Sequence, residues 1–268
     1  MGRIVFLGIA HVTPGRQAKK QIFERNIMKL IINNLRKSYG LNTVLDGINF
    51  EFESGKIYGL IGKNGVGKTT FFHCLNGMTQ KNGGDALLAM DDHCARPLSP
   101  GNVGFIESTP VLPEFLTGRE FIQFLIDIQE NPETFSIDGL FELVDLDRED
   151  QEKLLKTYSH GMKNKIQFLT LFICNSPVLF LDEPLTSLDV VAASDIKKII
   201  LKMKKDHIII FSTHILQLAA DLCDELVILH DKKLTLLDNN MLRDKNFEEK
   251  LINLLKDGEH DEICESCF

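Results

Sequence analysis

No apolar run in this chain of 268 residues approaches the roughly 18 that a membrane-spanning helix requires. The stretch IVFLGIA at 4–10 is too short, and the HVTPGRQAKK that follows is not a typical cleavage region. The chain is therefore expected not to cross a membrane, so any membrane role runs through a partner. Cysteine is sparse and scattered, at Cys74, Cys94, Cys174, Cys223, Cys264 and Cys267. Only Cys264 and Cys267 form a C-x-x-C pair, whereas a zinc site needs about four ligands. Reduced thiols in a cytoplasmic protein are the expectation. Basic charge is also short: 30 Lys and Arg face 38 Asp and Glu, for a net charge of −8. That balance argues against nucleic acid as the main partner, because phosphate binding usually needs a basic face. No internal repeat or low-complexity run is present. What remains is 44% apolar and 25% charged, enough for a packed core in one large α/β domain or in a core domain with a small appended one.

Residues 1–27 differ from the rest. Arg3, Arg16, Lys19, Lys20 and Arg25 are opposed there by a single acid, Glu24, and Met28 reads as a natural domain start. Residues 1–27 are thus expected to be a disordered N-terminal extension, either a tail or an upstream extension of the reading frame, with a basic membrane-touching arm as the lesser alternative. A core domain is expected over 28–240, with a tail at 241–268. Residues 28–55 read as strands, with Ile48, Phe50 and Phe52 on one face by alternation. A buried strand over 56–62 runs into a helix over 68–76, and Gly83–Gly84 and Pro97–Gly101 mark loops. A helical subdomain is expected at about 110–165. Thr117 and Glu120 form a capping box there, and Phe121, Phe124, Leu125 and Ile128 share one helical face. A further helix runs from about Met162 to Asn175–Pro177. Strands at 177–181, 207–212 and 225–230, with a helix at 190–204, then imply a largely parallel sheet with helices packed on it.

The strongest chemical signal is Gly62-Lys63-Asn64-Gly65-Val66-Gly67-Lys68-Thr69, followed by Thr70. It fits G-x-x-x-x-G-K-S/T and lies between a strand and a helix, as the mechanism requires. Glycines let the backbone curl so that its N–H groups point at phosphate oxygens. The helix N-terminus adds its positive dipole end. Lys68 supplies a charge to the β- and γ-phosphates, and Thr69 a hydroxyl for Mg²⁺. A second element, VLFLDEP at 178–184, is an apolar strand ending in two carboxylates. Asp182 is suited to hold Mg²⁺, and Glu183 to polarise the water that attacks the γ-phosphate.

Upstream of that strand lies Tyr158-Ser159-His160-Gly161-Met162-Lys163. It resembles the signature motif of the ATP-binding-cassette (ABC) family, in the YSHGMK form of many bacterial export cassettes. The usual LSGGQ is altered at three of five positions, but Ser159 and Gly161, which touch the γ-phosphate in the family, are kept. Ser187-Leu188-Asp189 resembles the D-loop that joins two nucleotide sites, and Ser212-Thr213-His214 the switch-histidine segment. The resemblance implies that His214 bonds the γ-phosphate and that Tyr39 stacks on adenine. Where the family has Gln between its two lobes, this chain has VGFIESTP at 103–110. Glu107 is the substitute on one alignment and Ser108 on the other. Bacteriocin- and bacitracin-export cassettes look similar there, and LTGREF at 116–121 also matches their next segment.

The resemblance covers about 28–231 and implies a P-loop ATPase with a parallel sheet, an N-terminal antiparallel β lobe and a helical subdomain. ATP and Mg²⁺ are the implied cofactors. The implied partners are a second ATPase subunit, identical or not, and an integral membrane permease gripped by the helical subdomain. That places the chain at the inner face of the cell membrane, powering export of a peptide, drug or lipid-like compound. A soluble cassette with a non-transport task is the alternative. One set of motifs, with no charged linker or coiled coil, weighs against it.

Overall fold

The computed structural model describes residues 27–90, 95–130, 132, 135–185, 188 and 190–237. The expected extension (apart from Ile27), the expected tail with Cys264 and Cys267, and Ser187 and Asp189 lie outside those residues. The chain opens with two long antiparallel strands, β1 (Lys29–Tyr39) and β2 (Asn42–Glu53), joined by a turn in which Gly40 takes φ 60°. With β4 (Gly83–Ala89) and the two-residue β5 (Arg96–Pro97) they form a four-stranded antiparallel sheet, ordered β2-β1-β4-β5. Ile48 and Phe52 are buried and Phe50 packs against the same core, as the alternation requires.

Gly83 and Gly84 were expected in a loop. They instead begin β4, because β1 passes so close to Gly84 that any Cβ there would fall on the Asn34 backbone. The β1–β4 register breaks between Asn33 and Arg36, beside that contact. Pro97 likewise belongs to β5, and only Pro100–Asn102 forms the expected irregular turn, as one turn of 3₁₀ helix.

The second sheet has six strands in the order β10-β9-β3-β8-β7-β6. Its members are β3 (Ile57–Ile61), β6 (Val103–Ile106), β7 (Val178–Asp182), β8 (Ile208–Ser212), β9 (Glu225–His230) and β10 (Lys233–Leu236). All pairings are parallel except β9–β10. Every residue of β3, β7 and β8 is buried, which is why these strands read as unbroken apolar runs. Helix α1 (Lys68–Leu75) leaves β3 through the glycine-rich loop and packs on the sheet, Phe72 stacking on Phe180 of β7 at 5.1 Å between centroids. That contact fixes the start of α1 relative to the end of β7, the two places where the sequence concentrates its chemistry.

The other face of the sheet carries α5 (His160–Cys174) and α6 (Val190–Met203), in one core with the helical subdomain, which contains α2 (Gly118–Asp127), α3 (Ile137–Leu143) and α4 (Arg148–Gln151). The chain then continues through α7 (Leu216–Leu222). Helix α2 starts at the expected capping box: Thr117 Oγ1 accepts from Glu120 N at 3.1 Å, and Thr117 N donates to Glu120 Oε2 at 2.8 Å. The expected apolar face of α2 needs correction. Ile122, Leu125 and Ile126 are buried, whereas Phe124 and Ile128 are 55% and 59% exposed. Among the described residues no helix is long and apolar enough to cross a membrane.

Candidate functional site

At the carboxyl ends of β3, β7 and β8 the chain turns from sheet to loop, and three motifs meet there. The loop after β3 is held by its own lysine: Lys68 Nζ donates to Gly62 O at 2.8 Å and to Lys63 O at 3.2 Å. Gly67 caps α1 with φ 113°, and a Cβ there would lie 2.5 Å from Val44 Cγ1, so both conformation and space require glycine. Gly65 has φ 80° with open space around its Cα, so its demand is conformational only. The first turn of α1 carries no acidic residue, leaving the positive end of the helix dipole uncompensated.

Asp182, the last residue of β7, is buried, and hydroxyls hold both of its oxygens. Thr69 Oγ1 donates to Oδ2 at 2.6 Å, and Ser212 Oγ donates to Oδ1 at 2.5 Å. The next residue, Glu183, takes φ 52°, and its N–H donates to Ser212 Oγ at 3.0 Å. Its carboxylate Oε2 meets His214 Nδ1 at 2.9 Å. An ionised carboxylate only accepts, so Nδ1 carries the hydrogen in this pair. Thr213 Oγ1 accepts from Ile215 N at 3.0 Å and so shapes the turn on which His214 stands. Burial pushes the Lys68 ammonium pKa below its ordinary value, and the charges of Glu183 and then Asp182 pull it back up.

A cleft of about 250 Å³ opens between these elements. Asn64, Gly65, Gly67, Lys68, Thr69 and Thr70 line it together with Ser108, Asp182 and Glu183. The structure thus gathers the two strongest sequence motifs into one place. Val66 packs its side chain against the core that the antiparallel sheet shares with α1 and the parallel sheet, and does not line the cleft. Of the two alignments for the inter-lobe position, Ser108 lines the cleft and Glu107 does not. Tyr39, at the end of β1, is half-exposed and outside the lining, with the Lys37 ammonium 4.4 Å over its ring. Ser159 and Gly161 also lie outside it. Ser159 caps α5, accepting from Met162 N at 3.2 Å, and is exposed. A Cβ on Gly161 would make only ordinary contacts, with Ala192 Cβ at 3.7 Å and Leu188 Cδ2 at 3.8 Å. Ser212 was not singled out from sequence beyond its place in the segment. Its only signal is a hydroxyl ending an otherwise apolar strand beside the acidic strand end.

The cleft suits a polyphosphate. Lys68 and the N-terminus of α1 stand at it, both favourable to an anion, and the Glu183–His214 pair stands at its edge. Comparison with known proteins agrees. The ABC transporter family matches residues 45–186. An uncharacterised ABC transporter ATP-binding protein of Nostoc sp. is 33% identical over 71% of this chain, which spans 58% of that protein. The bacitracin transport ATP-binding protein of Enterococcus faecalis is 30% identical over 76% of this chain and 68% of its own length. The lantibiotic transport ATP-binding protein of Streptococcus pyogenes is 31% identical over 84% of this chain and 96% of its own length. Among solved structures, an ATP-binding subunit of an ABC transporter superposes with a TM-score of 0.73 at 26% identity, covering 85% of this chain and 99% of that one. The chain belongs to the family of ABC transporter ATP-binding subunits, which are ATPases.

Proposed function

We propose that the cleft takes ATP with Mg²⁺ and that hydrolysis there powers export of a peptide, drug or lipid-like compound through a separate membrane permease. The observation that carries the nucleotide reading is the convergence of Lys68, Thr69, Asp182 and Glu183 on one cleft, with His214 bonded to Glu183 at its edge. The Lys68 ammonium, pinned over the loop by two carbonyls, faces the β- and γ-phosphates. The loop and helix N–H groups hold their oxygens. Glu183 orients and polarises the attacking water, and His214 holds the Glu183 carboxylate in place and, with both ring nitrogens protonated, donates its Nε2–H to the γ-phosphate.

The donor set fits a hard cation, because Thr69 Oγ1 and Asp182 are oxygen ligands already drawn together. Among the described residues no group of three His, Cys, Asp or Glu side chains is placed to hold a metal alone. The protein would therefore supply part of the shell, and triphosphate oxygens and water the remainder. Bound Mg²⁺ would neutralise charge developing on the phosphate oxygens.

Ser159 and Gly161 stand apart from the cleft of their own chain, which supports a site completed by a second ATPase subunit across the nucleotide. Asp189 would join the two sites. Tyr39 presents one ring face to adenine, the other being covered by Lys37. Export rather than import is supported by the bacitracin and lantibiotic transport relatives. The half-exposed Phe124 of α2 and Ile128, which caps that helix, are suited to grip the permease at the inner membrane face. The test is ATP binding and hydrolysis by the purified chain and by Lys68→Ala, with co-purification of a membrane protein from the native host. Unchanged nucleotide affinity in Lys68→Ala would refute the cradle, and absence of a membrane partner would favour a soluble, non-transport cassette.

A further inference from the structure

The geometry points to Ser212 as the positioning residue that aims Glu183 into the cleft. Ser212 ends β8, and its backbone pairs with Leu60 of β3 on one side and Asp182 of β7 on the other. Four apolar residues precede it and it is fully buried, so its hydroxyl needs partners inside the protein. It has two, and both belong to the acidic strand end. The hydroxyl proton goes to Asp182 Oδ1, and a lone pair accepts the Glu183 N–H.

The second bond matters most. Glu183 leaves β7 in the left-handed region at φ 52°, a conformation that costs a non-glycine residue roughly 1–2 kcal/mol. At the strand end its N–H points to a side chain, the Ser212 hydroxyl. The same oxygen thus fixes the Asp182 carboxylate and the peptide from which the Glu183 side chain springs. Asp182 is clamped from both sides, by Thr69 from the phosphate loop and by Ser212 from the switch strand. Ser212 does not line the cleft; it acts through Glu183. This inference rests on the reading of Glu183 as the residue that polarises water.

The test is Ser212→Ala in the full chain, alone and combined with Glu183→Gln. Steady-state hydrolysis, single-turnover rates and nucleotide affinity are the measurements. Ser212→Ala alone is expected to keep ATP affinity within about twofold and to lower kcat on the order of 10- to 100-fold, the cost of a misaimed group. In the Glu183→Gln background the same change is expected to alter the rate by less than about twofold, since groups acting through one another are not additive. A serine that only satisfied its own burial would move stability and leave that coupling at zero. An unchanged kcat, or the same fold-loss in both backgrounds, overturns the proposal. Glu183→Gln at the wild-type rate would instead remove the Glu183 reading, and this inference with it. Should Ser212→Ala not fold, Ser212→Cys carries the test at nearly the same volume. A thiol is a weak donor, so a wild-type kcat in that variant also overturns the proposal.

Discussion

His214 Nδ1 lies 2.9 Å from Glu183 Oε2, which joins the end of β8 to the end of β7 at the edge of the nucleotide cleft. Glu183 is mostly buried while His214 is half-exposed, so the imidazole reaches the carboxylate from the solvent side. In the proposed function the pair divides two tasks: the carboxylate takes a proton from water, and the imidazole holds it in one orientation. Glu183→Gln keeps the shape and loses the proton acceptor. Turnover should fall on the order of 10²- to 10⁴-fold while ATP binding survives. Hydrolysis and equilibrium nucleotide binding measured on the same preparation check this, and an unchanged turnover would count strongly against the assignment.

The phosphate loop offers a sharper test of backbone geometry. Gly67 combines φ 113° with a Val44 methyl 2.5 Å from where a Cβ would stand. Gly67→Ala therefore meets strain and a clash together, and the loop has to leave its present path. A strain of roughly 1–2 kcal/mol set against the binding conformation corresponds to about tenfold weaker nucleotide binding. Gly65→Ala, at φ 80° with nothing within 4 Å, meets strain alone and should weaken binding less. Titration with a fluorescent nucleotide ranks the two, and the reverse order would contradict the packing described here.

Much of this site was legible because its chemistry demands particular residues in consecutive positions. The loop from Gly62 to Thr69 and the pair Asp182–Glu183 announce themselves, since each follows a strand whose full burial makes it an apolar run. The face of α2 was not legible. Phe121, Phe124, Leu125 and Ile128 fit helical spacing, but so do Ile122, Leu125 and Ile126. Periodicity cannot choose between two apolar stripes on one helix; packing against the subdomain core takes the second, keeps Phe121 and Leu125 of the first, and leaves Phe124 and Ile128 exposed. Gly83–Gly84 misled for the opposite reason. A glycine required by close approach of a neighbouring strand looks, in sequence, like one required by a turn. Ser212 was legible only as the hydroxyl that ends an apolar strand, because its bonds to the acidic strand end depend on two strands distant in sequence becoming neighbours.

The signature segment makes a prediction about stability. Tyr158 is buried, its hydroxyl donates to Asp150 O at 2.6 Å, and a Cβ on Gly118 would fall on that hydroxyl. Gly118, the first residue of α2, is thus small because the signature tyrosine occupies its side-chain space. Gly118→Ala should destabilise the protein by about 1–3 kcal/mol through overpacking. Combined with Tyr158→Phe, which frees the space of one oxygen, its cost should shrink. Thermal or denaturant unfolding of the two single variants and the double variant measures the coupling. Strict additivity would show that the two residues do not share that space.

The same tyrosine predicts a pH dependence. Burial, and next the nearby charges of Asp150 and Glu152, push the Tyr158 pKa from 10.0 to about 12. The folded state therefore holds the phenolic proton more tightly than the unfolded state does. The resulting stability is fully present below pH 10.0 and is lost as the pH climbs toward about 12. Tyr58, whose pKa burial also raises to about 12, adds to the loss in the same window. Tyr158→Phe should cost roughly 1 kcal/mol at neutral pH through the lost hydrogen bond. It should also flatten the fall in stability between pH 10.0 and about 12, leaving the share due to Tyr58 and to other groups whose pKa is raised in the fold, Lys56 and Cys223 among them. Urea unfolding at stepped pH distinguishes the two effects, because the hydrogen bond shifts the whole curve whereas titration changes its slope only in the alkaline window. An alkaline slope identical to that of the wild type would mean that the Tyr158 hydroxyl titrates alike in the folded and unfolded chain.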